Sequence, residues 1–220
     1  MKRPRICASV TDKDLDTIKA VEPFVELFEV RIDLIGSNWQ DVVKYLDRPW
    51  IACNRIANEG GKWSGSEAGR IEELLKAVEI GADIVDIELE AKNLAEVVPH
   101  IKRRAECLLS FHELAETPPS DRLREIVNRQ IQAGADICKL VTTAQKPEDN
   151  MAVLRLIAEF RQTRVVSFTM GPLGLASRLL CPLVGGDFAY ASVERGKESA
   201  SGQMTARELR QLYDRIQNEK

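Results

Sequence analysis

No apolar run in this 220-residue chain reaches the ~20 residues that span a bilayer. The basic start, "MKRPRICASV", lacks the apolar stretch of a secretory signal, so no leader is expected. Basic residues are not in excess either. The net charge is −3, which argues against a global field for nucleic acid or an anionic membrane. The five cysteines (7, 53, 107, 138 and 181) are odd in number and show no C-x-x-C spacing. They read as reduced, buried thiols of a cytoplasmic protein, not as a disulfide frame or a zinc site. Low-complexity segments and interdomain linkers are absent. Histidine is scarce, with only His100 and His112.

What is present is alternation. Hydrophobic residues make up 44% and charged residues 30%, enough for one sizeable core, so residues 1–220 are expected to form a single domain. Strand-like runs occur at 5–10, 27–35, 50–56, 83–90, 107–114, 136–143, 164–170 and 187–193. Between them lie stretches with helical spacing, such as Ile71, Leu74, Leu75 and Val78. "EIGAD" and "QAGAD" put a glycine stop just before the next strand, and Thr205 is placed to cap the last helix. Eight strands alternating with helices imply parallel pairing through right-handed crossovers, and a (β/α)8 TIM barrel is the economical closure. An open doubly wound sheet is the alternative, but no G-x-G-x-x-G turn follows strand one.

Charged residues fall on strand faces that a closed barrel would turn inward. In strand two Glu29, Arg31 and Asp33 share one face, and in strand four Asp86, Glu88 and Glu90 do. Ser110 and His112 share a face of strand five, Arg55 ends strand three, and Lys139 interrupts the apolar run "DICKLVTT". A lysine there needs a partner or a lowered pKa. Two readings stay open: an imine-forming lysine with a depressed pKa beside an imidazole acid–base, or a structural salt bridge between Lys139 and Glu88.

Six motifs in order then carry a resemblance: "EVRID" (29–33), "RIANEGG" (55–61), "SFHE" (110–113), "DICKL" (136–140), "GLASRL" (174–179) and "SASGQ" (199–203). With these the chain resembles type I 3-dehydroquinate dehydratase, the Schiff-base class of the shikimate pathway. The resemblance implies a TIM barrel that dehydrates 3-dehydroquinate to 3-dehydroshikimate without metal or organic cofactor. By motif, Lys139 forms the imine, His112 is the acid–base and Glu59 orients it. Glu29, Arg31, Arg55 and Ser9 join the substrate-binding set, Arg178 takes the substrate carboxylate, and Ser199 and Gln203 come from a closing loop, residues 193–205. A cytoplasmic enzyme of a small molecule is implied, with no nucleic-acid or membrane partner; a homodimer is allowed. Two departures stand out. Ser201 replaces the usual proline of the closing loop, and Glu113 replaces the aspartate after the histidine. Two rival readings remain: a Schiff-base aldolase on the same fold, with "MGPLG" (170–174) as a phosphate loop, and a non-catalytic metabolite-binding barrel.

Overall fold

A computed structural model describes residues 3–218. Eight strands run β1 (Ile6–Val10), β2 (Leu27–Arg31), β3 (Trp50–Cys53), β4 (Ile84–Glu88), β5 (Glu106–His112), β6 (Ile137–Thr143), β7 (Arg164–Met170) and β8 (Ala189–Ser192). The helices are α1 (Leu15–Val21), α2 (Ile32–Ile35), α3 (Gln40–Val43), α4 (Glu67–Glu79), α5 (Leu94–Ile101), α6 (Ser120–Gln132), α7 (Asp149–Glu159), α8 (Leu175–Leu180) and α9 (Ala206–Asn218). The strands form one parallel sheet in the order β7-β6-β5-β4-β3-β2-β1-β8. That is the expected barrel, closed except at the β7–β8 seam. The seam is stitched by Asp187, whose N–H donates to the Val165 carbonyl at 2.9 Å. Its carboxylate takes Arg5 from the start of β1 and Arg164 from the start of β7.

Local signals act where the sequence placed them. Gly81 and Gly134 follow α4 and α6 with φ of +99° and +94°, the left-handed region that glycine enters without Cβ strain. Thr205 caps α9 in a capping box: its hydroxyl accepts from the Glu208 N–H, and the Glu208 carboxylate accepts from the Thr205 N–H. All five cysteines are buried and free. No helix among the described residues is long and apolar enough to cross a membrane.

Several strands end earlier than the pattern, and three of these ends move a charged residue off the strand. β2 stops at Arg31, and Asp33 lies in α2. β3 stops at Cys53, so Arg55 belongs to the loop beyond it. β4 stops at Glu88. Glu90, expected inside the barrel, is exposed and pairs with Arg129. Parallel strands in a barrel are short, and alternation continued past the last ladder bond no longer reports a face.

The far end of the barrel is held by α9. The buried Arg210 donates to the Phe24 and Pro4 carbonyls and to both oxygens of Glu26, which also accepts from the Ile6 N–H. Replacing Arg210 with Met strands two carbonyls and a carboxylate. It should destabilise the fold by roughly 2–4 kcal/mol, read as a lower urea midpoint at unchanged m-value. An unchanged midpoint would show that this clamp contributes nothing.

Candidate active site

The strand C-terminal ends surround a narrow cleft. Glu29, Arg31, Arg55, Glu59, His112, Lys139, Arg178, Ser199 and Gln203 all line it. Ser9 does not. It sits buried behind Glu29, donating to that carboxylate at 3.0 Å and accepting from Gln203 at 3.4 Å.

Lys139 reaches the cleft from the middle of β6, beside Ser110 of β5 and Val166 of β7 in the ladder. It is 4% exposed. Its Nζ lies 2.9 Å from Asp86 and 3.4 Å from Glu29, with the Tyr190 ring face 4.3 Å away. The expected ion-pair rival is corrected: the partner is Asp86, one step deeper on the same face of β4, not Glu88. Glu88 instead joins Arg55 at 3.0 Å and Arg70 on the outer side. The expected depressed pKa is also corrected. Burial pulls the Lys139 ammonium down, but Asp86 and Glu29 outweigh it and hold the pKa above its ordinary value. Glu29, Cys53 and Asp86 place donor atoms within 4.8 Å of one another, a set able to hold a cation, and the lysine ammonium already bridges its two carboxylates.

Asp86 also binds Arg55 at 2.7 Å and accepts from the Ser110 hydroxyl at 2.7 Å. Burial opposes its ionisation, yet Arg55, Lys139 and the Ser110 hydrogen bond hold its carboxyl far below the usual range. Arg31 is aligned by a two-pronged contact to Asp33, 2.9 and 2.7 Å. Asp33 also accepts from the Lys62 N–H, tying β2 to the loop that carries Glu59.

His112 and Glu59 form a pair. Nδ1 of His112 is 2.8 Å from Glu59 Oε2, and the same oxygen accepts from the His112 backbone N–H at 3.1 Å. With Glu59 ionised, Nδ1–H donates and Nε2 is left with a lone pair. Burial, then Arg55 and Lys139, keep His112 well below its ordinary pKa, so the ring is neutral at pH 7. Burial pushes the Glu59 carboxyl up to about 8. Arg55, 3.8 Å away, opposes that rise, while Glu88 and Asp86 add to it.

Arg178 stands apart. It leaves α8 to lie over the Phe168 ring at 4.5 Å, and donates to the Ser201 carbonyl at 3.3 Å. Its Nε is buried without a partner, and burial brings its pKa down to about 10. "GPLG" before α8 does not need a phosphate to explain its glycine. A Cβ on Gly174 would lie 2.4 Å from the Thr169 carbonyl oxygen, so glycine there serves chain packing. Ser199 and Gln203 close on each other, Ser199 N–H to Gln203 Oε1 at 2.9 Å. Motif reading passed over Asp33, Tyr190 and Asp86 as site residues. For Asp86 the signal was present, since it lies on the inward face of β4.

A lysine, an imidazole–carboxylate pair and an unpaired guanidinium meet at the mouth of a parallel barrel, an arrangement chemically suited to an enzyme acting on a small anionic carbonyl compound. The model of the Type I 3-dehydroquinase family matches residues 6–220, and the chain belongs to that family. It is 40% identical over 214 residues to a 3-dehydroquinate dehydratase of Dehalococcoides mccartyi strain BAV1, covering 97% of this chain and 96% of the relative. Among solved structures, the type I 3-dehydroquinate dehydratase of Clostridium difficile superposes with a TM-score of 0.87 at 21% identity, covering 100% of this chain and 95% of that one. The 3-dehydroquinate dehydratase of Geobacillus kaustophilus gives 0.86 at 24%, covering 100% and 93%.

The raised Glu59 carboxyl is directly measurable. With ¹³C-labelled glutamate, one carboxyl signal should titrate near pH 8 in the ligand-free protein and vanish in Glu59→Gln. A set of glutamates all titrating below pH 6 would contradict the site as described.

Proposed function

We propose that this chain is a 3-dehydroquinate dehydratase, eliminating water from 3-dehydroquinate to give 3-dehydroshikimate through an imine on Lys139. The observation that carries the reading is the placement of Lys139 Nζ in one cleft with the His112–Glu59 pair and the unpaired Arg178. Membership of the family and the dehydratase relatives supply the substrate.

Each step follows from a named group. The substrate carboxylate binds Arg178, whose buried Nε awaits an acceptor. Glu29, Arg31 and Arg55 take the hydroxyls, with Ser9 holding Glu29 from behind. Lys139 passes its ammonium proton to neutral His112 (solvent water serves where the ring is absent), its nitrogen attacks the ketone, and the proton returns to the carbinolamine oxygen. Loss of water from the carbinolamine leaves an iminium. That cation acidifies the adjacent C–H, and neutral His112 removes the proton through Nε2 while Glu59, in the ionised form that prevails above about pH 8, accepts Nδ1–H. The electron pair moves into an enamine, which expels the hydroxyl one carbon further on. His112 returns the proton to that oxygen, and water then frees Lys139. The electron sink is thus a group made from the chain's own lysine and the substrate, so the chemistry as written calls on no metal or organic cofactor. The barrel acts as one catalytic unit, and the buried free thiols fit a cytoplasmic setting.

Borohydride with 3-dehydroquinate should add one reduced substrate to the wild type, mapped by mass spectrometry to Lys139, and none to Lys139→Ala. His112→Ala should lose roughly 10²–10⁴-fold in turnover yet still be trapped, because imine formation requires mainly the lysine. Label on another lysine, or more than a few per cent of wild-type turnover in Lys139→Ala, would overturn the mechanism.

The 193–205 loop is proposed as the lid. In the closed arrangement described, Lys197 binds Asp12 at 3.0 Å and Asp14 at 2.8 Å, and Gln203 reaches Ser9. These contacts are mostly polar and partly exposed, so the segment opens at low cost. Amide exchange across 193–205 should slow when substrate or product binds; equal exchange in both states would rule the lid out.

A further inference from the structure

Behind the cleft, a file of charges runs outward through the wall of the barrel. Glu88, on β4, is buried and does not line the cleft. One of its oxygens takes Arg55 at 3.0 Å and the Ile56 N–H at 3.2 Å. The other takes Arg70 of α4. Arg70 is fully buried, and it also donates to the Asn54 carbonyl at 3.3 Å and, through Nε and NH2, to Glu67 at 2.8 and 2.7 Å. Glu67 is partly exposed and lies near Lys92. The order from outside to inside is Glu67, Arg70, Glu88, Arg55, Glu59, His112.

We propose that Arg70 is a positioning residue that acts through Glu88 on the Glu59–His112 pair. The inference rests on reading that pair as the acid–base. Arg55 faces three carboxylates at once: Asp86 at 2.7 Å, Glu88 at 3.0 Å and Glu59 at 3.8 Å. If Glu88 depended on Arg55 alone, little positive charge would be left for Glu59. Arg70 supplies the second cation, so Arg55 remains available to favour the Glu59 carboxylate. Arg70 also anchors the Asn54 carbonyl, next to Arg55, and so fixes the root of the loop that carries both residues. The groups facing Glu59 are Arg55 from its own loop, His112 from β5 and Asp86 and Glu88 from β4; Lys139 and Arg31 face His112. Of the two carboxylates facing Glu59, Asp86 pairs with cations that line the cleft, whereas Glu88 also pairs with a cation outside it, Arg70.

The sign of the effect separates this role from plain support. Arg70→Met leaves Glu88 with Arg55 as its only cation, and the less compensated negative charge makes Glu59 harder to ionise. The proton step of the pair should move to higher pH by on the order of one unit. Arg70→Lys keeps the charge and should restore most of it. Glu67→Gln removes the outer carboxylate, leaves more of the Arg70 charge for Glu88, and should move the step to lower pH by about a few tenths of a unit. Glu67 is partly exposed, so this variant remains informative if Arg70→Met does not fold.

With only two histidines in the chain, ring signals of ¹⁵N-histidine-labelled protein report the ionisation of Glu59 through its hydrogen bond to His112 Nδ1. Opposite displacements in Arg70→Met and Glu67→Gln, or the downward one alone if Arg70→Met is unfolded, support the proposal. No displacement in the folded variants, or displacements of the same sign, overturn it. The acid limb of kcat/KM for 3-dehydroquinate is measured on the same proteins. Ring steps that move while the limb stays would leave Arg70's influence standing and remove the acid–base reading of the pair.

Discussion

The mouth of this barrel depends on one buried carboxylate, Asp86. An isolated carboxylate in that position would cost several kcal/mol, and it is tolerated because three groups converge on it: Lys139, Arg55 and the Ser110 hydroxyl. Each therefore has little freedom to turn elsewhere. The lysine that the proposed reaction uses is in this sense also a structural counter-ion. The two roles are compatible, because an iminium at Nζ carries the same charge as the ammonium it replaces. Asp86 and Glu29 stabilise both cations and favour neither enamine nor carbinolamine. The energetic bias thus lies toward forming the first iminium and toward regaining the charge when the hydroxyl leaves, with dipoles and charges already in place.

The scaffold divides its work by end. At the chemical end, strands supply Glu29, Arg31, His112 and Lys139, while the loops that follow supply Arg55, Glu59, Ser199 and Gln203 and helix α8 supplies Arg178. Strand-borne groups are held by ladder bonds on both sides, and Gln130 of α6 also donates to the Leu109 and Lys139 carbonyls. At the other end, Arg210, Glu26 and Asp187 tie β1, α9, β7 and β8 together with no group facing the cleft. This is the usual separation of chemistry and stability in such barrels.

What the sequence made legible follows from how local each constraint is. Alternation along β2 and β5 put Glu29, Arg31 and His112 inside, because side-chain direction has a period of two wherever a ladder exists. It failed for Glu90 and Asp33 because the ladder had already ended there. Arg55 was read as the end of strand three although the strand stops at Cys53, and Glu59 came from a motif, since a loop has no period to read. Partners were harder still. Whether Lys139 meets Asp86 or Glu88 depends on the stagger between β4 and β6, two strands apart with β5 between them, and nothing within either segment encodes that offset. The sign of the Lys139 shift was lost for the same reason: burial was legible, but the two carboxylates that outweigh it were not.

Arg178 shows how the charge ledger leaves room for a ligand. The described residues include five buried arginines. Arg31, Arg55, Arg70 and Arg210 each hold a carboxylate, and Arg178 alone has none. Its two consolations are weak, an aromatic face and a peptide carbonyl. A buried guanidinium so poorly matched is a standing cost to the fold, and an arriving carboxylate removes it by offering two acceptors to a planar donor pair. The carbonyl that Arg178 holds meanwhile belongs to Ser201, in the middle of the closing loop. The cation that draws in an anion therefore also draws down the segment above it. On the proposed reading, anion binding and loop closure are coupled through this one side chain, with Ser201 contributing a backbone acceptor that does not depend on its side chain.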